Sequence, residues 1–535
     1  MSFDLIPEPQ SVTLNGEAAD SDDAGAPVPV ALPLVGRISE DRDIDDIAGV
    51  FPTQLADDIE AATGLRWDIA SDVMVAGLPA PNAAIAHPVP PHASCWKSFI
   101  TLRLDPSSLE PQEYRLTIAR SGIDVVGGDT EGVRNGVQTL RQIIRQCAPA
   151  LPRLVIADKP AYKVRGYYLD ATRGRVPTLD WLKTWADRLC LYKYNQLQLY
   201  IEHTFMFDDL SETWRGTSPL KPADIIAFDE YCARLGIELV PSVSTFGHQY
   251  MAMRTRELRH LGEFPEDADR RYGFVERQRH HTLNITEPES LAFSFKLIDA
   301  YMQLFRTRKF NICGDETFDL GRGRSKPEAE RRGVAAMYAD FVSQLCRHLS
   351  ERGREPMFWG DIAVEMPQIL GLLPDNVTLL NWLYAPGIGE DKVRLVAQAG
   401  APQYVCSAVW CWNALLPRLD DSWNNISRLA RYGVKYGAVG YLVTDWGDYG
   451  HVNDPRMAVS GMIFGAQCAW NPMAHIQGEA GCGDGEEGSA AGYADAAADV
   501  VRENKAAADG DSPAPLPSSS ESDDYTGGAA AAIAG

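Results

Sequence analysis

Residues 164–203 read VRGYYLDATRGRVPTLDWLKTWADRLCLYKYNQLQLYIEH. Two short apolar runs, VRGYYLD (164–170) and NQLQLYI (195–201), have the length and composition of buried strands. Between them Leu179, Leu182, Ala186 and Leu189 fall on one helical face, and Thr178, after Pro177, stands where an N-cap is expected. The strand–helix–strand pattern then recurs. Further strand candidates are GIELVPSV (236–243), KFNICGD (309–315), PMFWGD (356–361), VTLLNW (377–382), QYVCSAV (403–409) and GAVGYLVTDW (437–446). Eight strands alternating with helical segments predict an α/β fold, a (β/α)8 TIM barrel over residues 159–477. An open doubly wound sheet would instead place a glycine-rich phosphate loop after its first strand, and ATRGRVP is not one.

Outward from the barrel, residues 1–158 predict a small α+β domain. The runs FITLRL (99–104), YRLTIA (114–119) and IDVV (123–126) alternate like strands. After Gly127-Gly128, Val133, Val137, Leu140 and Ile144 share one helical face. No catalytic constellation is visible in this part. Residues 478–535 are rich in Ala, Gly, Asp, Ser and Pro, with 12 acidic and 2 basic residues, so −10 of the net charge of −23 belongs to them. Such a low-complexity acidic tail buries too little apolar surface to offset its chain entropy, and disorder is expected over most of it.

The remaining composition, 45% hydrophobic and 23% charged over 535 residues, is that of a globular protein. The net negative charge argues against nucleic acid as a partner. No window approaches the ~18 apolar residues of a membrane span, and the first residues, MSFDLIPEPQ, lack the basic start and apolar core of a secretory signal. The ten cysteines fall mostly inside apolar runs, without disulfide-framework spacing or a CxxC pair. Reduced thiols and a cytoplasmic location are the corresponding expectation. No metal or cofactor is expected, since there is no His/Cys cluster and no EF-hand spacing of carboxylates.

In a TIM barrel the chemistry gathers where strands end and βα loops begin. Those ends carry Asp170 and Arg173, Glu202 and His203, His248, Asp315 and Glu316, Trp359 and Asp361, Trp382 and Tyr384, Trp410, Trp412 and Asn413, and Asp445, Trp446 and Asp448. Flat apolar rings beside carboxylates, an arginine and a histidine suit a sugar, which offers apolar faces and hydroxyls together. Each residue also has a plainer reading: a tryptophan as core, Asp170 in a salt bridge with Arg173 or Arg175, His248 as a structural histidine, His280-His281 as loop. The pair Asp315-Glu316 is the sharpest feature, because adjacent buried carboxylates are costly unless partnered or used. Successive side chains on a strand diverge, so the two are not expected to oppose each other as in a two-carboxylate glycosidase. One would reach a leaving-group oxygen and the other a different part of the same sugar, which suggests a nucleophile belonging to the substrate.

FNICGDET (310–317), GYYLDATR (166–173), YKYNQLQL (192–199) and VPSVSTFGH (240–248) stand in order at barrel spacing. On these motifs the chain resembles the glycoside hydrolase family 20 β-N-acetylhexosaminidases over most of its first 475 residues, as a divergent, intracellular-type member. The resemblance implies an exo-acting retaining hydrolase that removes terminal β-linked GlcNAc or GalNAc from an oligosaccharide or glycoconjugate through an oxazolinium intermediate. It implies Glu316 as general acid, Asp315 as the partner of the 2-acetamido N–H, and His248 beside the acid. It further implies Arg173 on the 3- and 4-hydroxyls, Asp448 near the 4- and 6-hydroxyls, and Trp359, Trp382 and Trp446 as walls of the sugar pocket. The family's acidic residue that supports the histidine is missing from YIEHTFMF, leaving Glu202 or His203 as substitutes. The family's Tyr-x-Asp on the seventh strand is replaced by VWCWN, leaving Trp410, Trp412 or Asn413 for the acetamido contact. Two alternatives stand beside this reading: a two-carboxylate β-glycosidase using Asp445 or Asp448 as nucleophile, and a non-catalytic sugar-binding barrel. Oligomeric state is open at this level.

Overall fold

A computed structural model of the chain describes residues 3–14, 29–70 and 98–474; the expected tail at 478–535 lies outside the described residues. Eight parallel strands close into a barrel: β1 (Arg165–Asp170), β2 (Gln196–Ile201), β3 (Glu238–Val243), β4 (Lys309–Asn311), β5 (Glu355–Trp359), β6 (Thr378–Trp382), β7 (Gln403–Ala408) and β8 (Gly440–Asp445). Closure is made by β1 on β8, with Arg165 opposite Tyr441 and Leu169 opposite Asp445. All eight follow the apolar runs read from the sequence. Six of them carry fully buried or nearly fully buried patterns because helices cover their outer faces and side chains fill the inside. The interior includes a chain of amides: Asn311 Nδ2 donates to Gln198 Oε1 at 3.1 Å and Gln198 Nε2 to Gln196 Oε1 at 3.2 Å.

The first helix, Leu179–Leu191, is capped as expected, with the Thr178 side chain accepting from the Trp181 amide. It buries Leu182, Trp185, Ala186 and Leu189 against the barrel. The helix after β5 is short, Asp361–Glu365, and a further 3-10 turn at Pro367–Ile369 follows it, so the alternation holds there. One expectation is corrected. The fourth strand, expected to run to Asp315, ends at Asn311, because Cys313 and Gly314 leave the extended region with φ of 60° and 83°.

Before the barrel, a seven-stranded sheet runs Ser11–Leu14, Leu154–Asp158, Tyr114–Ala119, Gly122–Gly127, Ile100–Leu104, Arg37–Glu40 and Asp68–Ala70 in spatial order. Helices Val50–Thr63 and Thr130–Cys147 pack with it, as the α+β reading predicts. Asp58 binds the two helices together, accepting from Arg141 Nε at 2.7 Å and from Arg145 at 2.8 Å. Side chains also join this domain to the barrel: Arg165 on β1 donates to Glu131 at 2.9 Å, and Trp470 Nε1 to Asp158 at 2.9 Å. The eight described cysteines are free, seven of them buried. Among the described residues no helix is long and apolar enough to cross a membrane, and no group of His, Cys, Asp and Glu is suited to hold a metal ion.

Candidate active site

The residues at the carboxyl ends of the strands converge on one side of the barrel. Asp170, the last residue of β1, is buried, yet it is no simple partner of an arginine. Its Oδ1 accepts the amides of Thr172 and Arg173 at 2.8 and 3.0 Å, and its Oδ2 accepts the Gly447 amide at 3.0 Å. The carboxylate therefore ties the loop after β1 to the loop after β8 and sets the position of Arg173. The Arg173 guanidinium is buried between two carboxylates, Nε 3.1 Å from Glu202 Oε1 and an Nη 2.7 Å from Asp448 Oδ1. It also lies 5.1 Å from the centroid of Trp446 and 5.3 Å from that of Tyr200. Burial opposes its charge, but Tyr200 and the three surrounding carboxylates raise its pKa well above the usual value. Burial alone would raise Glu202 too, but His203, Arg173 and His248 hold that carboxyl below the ordinary range.

Glu202 is one of the two residues expected to replace the acid that supports His248. Its hydrogen bonds go to Arg173 and to the Tyr200 hydroxyl at 2.9 Å, while His203 Nδ1 stands 3.7 Å from its other oxygen. Glu202, His203 and His248 nonetheless line one small cleft together with Phe207 and Leu210.

The loop after β3 presents His248. Thr245 Oγ1 donates to the Ile312 carbonyl at 2.7 Å and Gln249 Nε2 to the Ser244 carbonyl at 2.7 Å, fixing the turn. Gly247 is required there: a Cβ would sit 2.6 Å from the Asp315 carbonyl oxygen. His248 itself has φ 52° and is buried. Its Nε2 lies 3.4 Å from Asp315 Oδ2 and 3.6 Å from Glu316 Oε2.

Both carboxylates thus face one imidazole, which corrects the expectation that their side chains diverge. Strand alternation no longer applies past Asn311, and the left-handed residues Cys313, Gly314 and Glu316 (φ 48°) swing both side chains to the same side. Holding two non-glycine residues in that region costs about 1–2 kcal/mol each, and such strain collects at functional sites. The turn is pinned by Asn311 Oδ1 accepting from the Cys313 amide at 2.9 Å, and by Tyr338 Oη donating to the Gly314 carbonyl at 2.8 Å. Asp361 Oδ2 accepts from the Glu316 amide at 3.2 Å.

Burial works against a charge on His248, but Asp315 outweighs it and the pKa is pushed up to about 9. The site therefore holds an imidazolium at neutral pH. Burial raises the Glu316 carboxyl above its ordinary value; the His248 charge works against that rise and Asp315 adds to it. The result is a carboxyl whose protonated form is favoured over that of a free glutamic acid, set beside Asp315, each with a separate task. Among the described residues no group donates to the buried Asp315 Oδ1.

The tryptophans take different places. Trp359 is fully buried and edge-on to Tyr168, centroids 4.9 Å apart. Trp446 lies over Tyr168 at 4.7 Å and against Tyr200 at 5.3 Å. These four rings form a floor. Trp382 is half-buried and stacks on Tyr384 at 5.1 Å, and Tyr384 meets Trp412 at 5.6 Å. Trp410 stacks on Trp412 at 5.5 Å but spends its N–H on the Tyr384 carbonyl, 2.8 Å away. Asn413 is exposed. Tyr384 Oη accepts from Trp446 Nε1 at 2.7 Å, joining the floor to the wall.

Sequence reading gave no role to Tyr168, Tyr200, Tyr384 or Asp361. The two strand tyrosines sit within buried runs whose inward face only the barrel defines. Tyr384 and Asp361 stood among the strand-end residues, without a signal to separate them from rim positions.

Comparison with known proteins gives the arrangement a lineage. Residues 43–159 match the model of glycosyl hydrolase family 20, domain 2, and residues 162–412 match that of the family's catalytic domain. A beta-hexosaminidase of Akkermansia muciniphila is 30% identical over 341 residues, 57% of this chain and 65% of that protein. A lacto-N-biosidase of Bifidobacterium bifidum is 26% identical over 315 residues, 56% of this chain. This chain spans 65% and 26% of the lengths of those two relatives. The crystal structure of a β-N-acetylhexosaminidase from Bacteroides fragilis superposes with a TM-score of 0.64 at 17% identity, covering 94% of this chain and 95% of that one, so the fold is shared. With both of the family's domains matched in order, and the Asp-Glu pair and its histidine inside the matched catalytic part, the chain belongs to glycosyl hydrolase family 20.

Proposed function

We propose that the protein is an exo-acting retaining β-N-acetylhexosaminidase that releases terminal β-linked N-acetylhexosamine from an oligosaccharide or glycoconjugate. The observation that carries the reading is the Asp315–His248–Glu316 arrangement: a buried carboxylate with an oxygen open to a donor, next to a carboxylic acid of raised pKa. The acetamido oxygen of the sugar attacks C1 as the bond from C1 to the aglycone oxygen breaks. Glu316 gives its proton to that oxygen, and Asp315 holds the acetamido N–H as positive charge develops on the oxazolinium. Water then attacks C1 from the side the aglycone left, Glu316 takes its proton, and the ring reopens to the acetamide with retained configuration.

The buried Arg173 and the half-buried Asp448 form a polar end suited to sugar hydroxyls. Gln278, from the long segment after β3, donates to the Asp448 carbonyl at 2.6 Å and walls that end, which favours a single terminal sugar. The two-carboxylate alternative is disfavoured. Asp445 is buried with its oxygens on Tyr167 Oη at 2.9 Å and Cys411 Sγ at 3.6 Å, and Asp448 is bound to Arg173. A reducing, cytoplasmic setting belongs to the same proposal and is supported by the free, mostly buried thiols.

The test is a panel of nitrophenyl glycosides. The β-N-acetylglucosaminide should be cleaved, the plain β-glucoside should not, and a thiazoline mimic of the oxazoline should inhibit. Equal turnover of both glycosides, or a trapped ester on any side chain, would overturn the reading.

A further inference from the structure

The geometry points to Asp361 as the positioning residue of the acid: its carboxyl, coming from the end of β5, holds the main chain of Glu316 in the left-handed turn that aims the Glu316 side chain at His248. This rests on the assignment of Glu316 as proton donor. Several bonds pin the turn after β4, and they act on Cys313 and Gly314, apart from the Phe318 amide, which donates to the Glu316 carbonyl at 2.8 Å. Asp361 Oδ2 is the acceptor for the Glu316 amide itself. At φ 48° that residue sits in a region its side chain disfavours, so the bond opposes relaxation at the very Cα that carries the acid. Rotation there would carry the carboxyl away from His248, now 3.6 Å distant.

Asp361 shares the region with two other carboxyls, and its Oδ1 is buried without a partner among the described residues. Burial, then the charge of Asp315, push its carboxyl well above the usual range, which favours the neutral form, and the amide bond needs only an acceptor oxygen. A neutral carbonyl-bearing group of the same shape should therefore do its work. This separates a positioning residue from a third catalytic carboxylate, for which loss of the carboxyl would be ruinous.

The experiment compares Asp361→Asn and Asp361→Leu on a nitrophenyl N-acetylglucosaminide and on a disaccharide with a poor leaving group. Asp361→Asn, which keeps an acceptor, should stay within about threefold of wild type, whereas Asp361→Leu should lose roughly 10- to 100-fold in kcat with KM within about twofold, the scale of small misplacements of a catalytic group. The loss should be deeper on the disaccharide, where proton delivery matters most. A folded Asp361→Asn enzyme weakened more than about tenfold overturns the inference, whatever Asp361→Leu does. So does an Asp361→Leu enzyme that is unimpaired, or equally impaired on both substrates. If the wild type cleaves neither substrate, the proposed activity falls; the positioning claim is then read from a crystal structure of Asp361→Leu, in which Glu316 must leave the left-handed region.

Discussion

Replacing Asp315 by Asn removes one charge from the closest anion to His248 while keeping the side chain's size. An imidazolium with a pKa near 9 instead of 6.5 is held by about 3 kcal/mol, net of its burial. Asp315 at 3.4 Å supplies the larger share and Glu316 at 3.6 Å the smaller. In Asp315→Asn the burial of the ring is scarcely opposed, and its titration should fall to pH ~7 or below. The sign for stability follows. A histidine raised in the fold contributes stability that is complete below pH 6.5 and disappears as the pH rises through about 9. Wild-type unfolding free energy should therefore decline by up to about 3 kcal/mol across that window, and the Asn variant should show a flatter curve.

Catalysis should suffer separately, because an amide cannot balance the charge of the oxazolinium. A loss of about 10²–10³ in kcat on the aryl N-acetylglucosaminide is expected, the scale for removing one preorganised electrostatic partner. The assay pairs initial rates with NMR titration of the His248 ring. An unchanged histidine midpoint would refute the pairing, and a rate within tenfold of wild type would refute the role given to Asp315.

Two further predictions concern its neighbours. Glu316→Gln should lose about 10²–10⁴ in kcat on a disaccharide and distinctly less on a dinitrophenyl glycoside, whose leaving group needs little proton assistance, as a series of leaving-group pKa values will measure. Arg173→Met strips Asp448 of its guanidinium partner and leaves Glu202 with Tyr200 Oη and the neighbouring histidines; unfolding in urea should show a loss of about 3–5 kcal/mol, with a raised KM if the variant stays folded. Glu202, depressed in the fold, contributes stability present above pH 4.5 and lost as the pH falls, so the acid-side decline should be shallower in that variant.

The sequence by itself determined which segments form the barrel strands, the Thr178 cap, the α+β character of the first domain and the order of site motifs along the chain. These are local matters: burial on both faces writes continuous apolar runs, and a cap needs only neighbouring residues. Only the tertiary structure decided that β4 stops at Asn311 and that left-handed residues turn Asp315 and Glu316 toward the same ring, since strand alternation predicts the opposite. The seating of Arg173 between Glu202 and Asp448 likewise depends on closure of β1 against β8, which brings together residues 275 positions apart. Asp361 reaches the Glu316 amide for the same reason: adjacency in a barrel is set by strand pairing and register, quantities that no local pattern of side chains records.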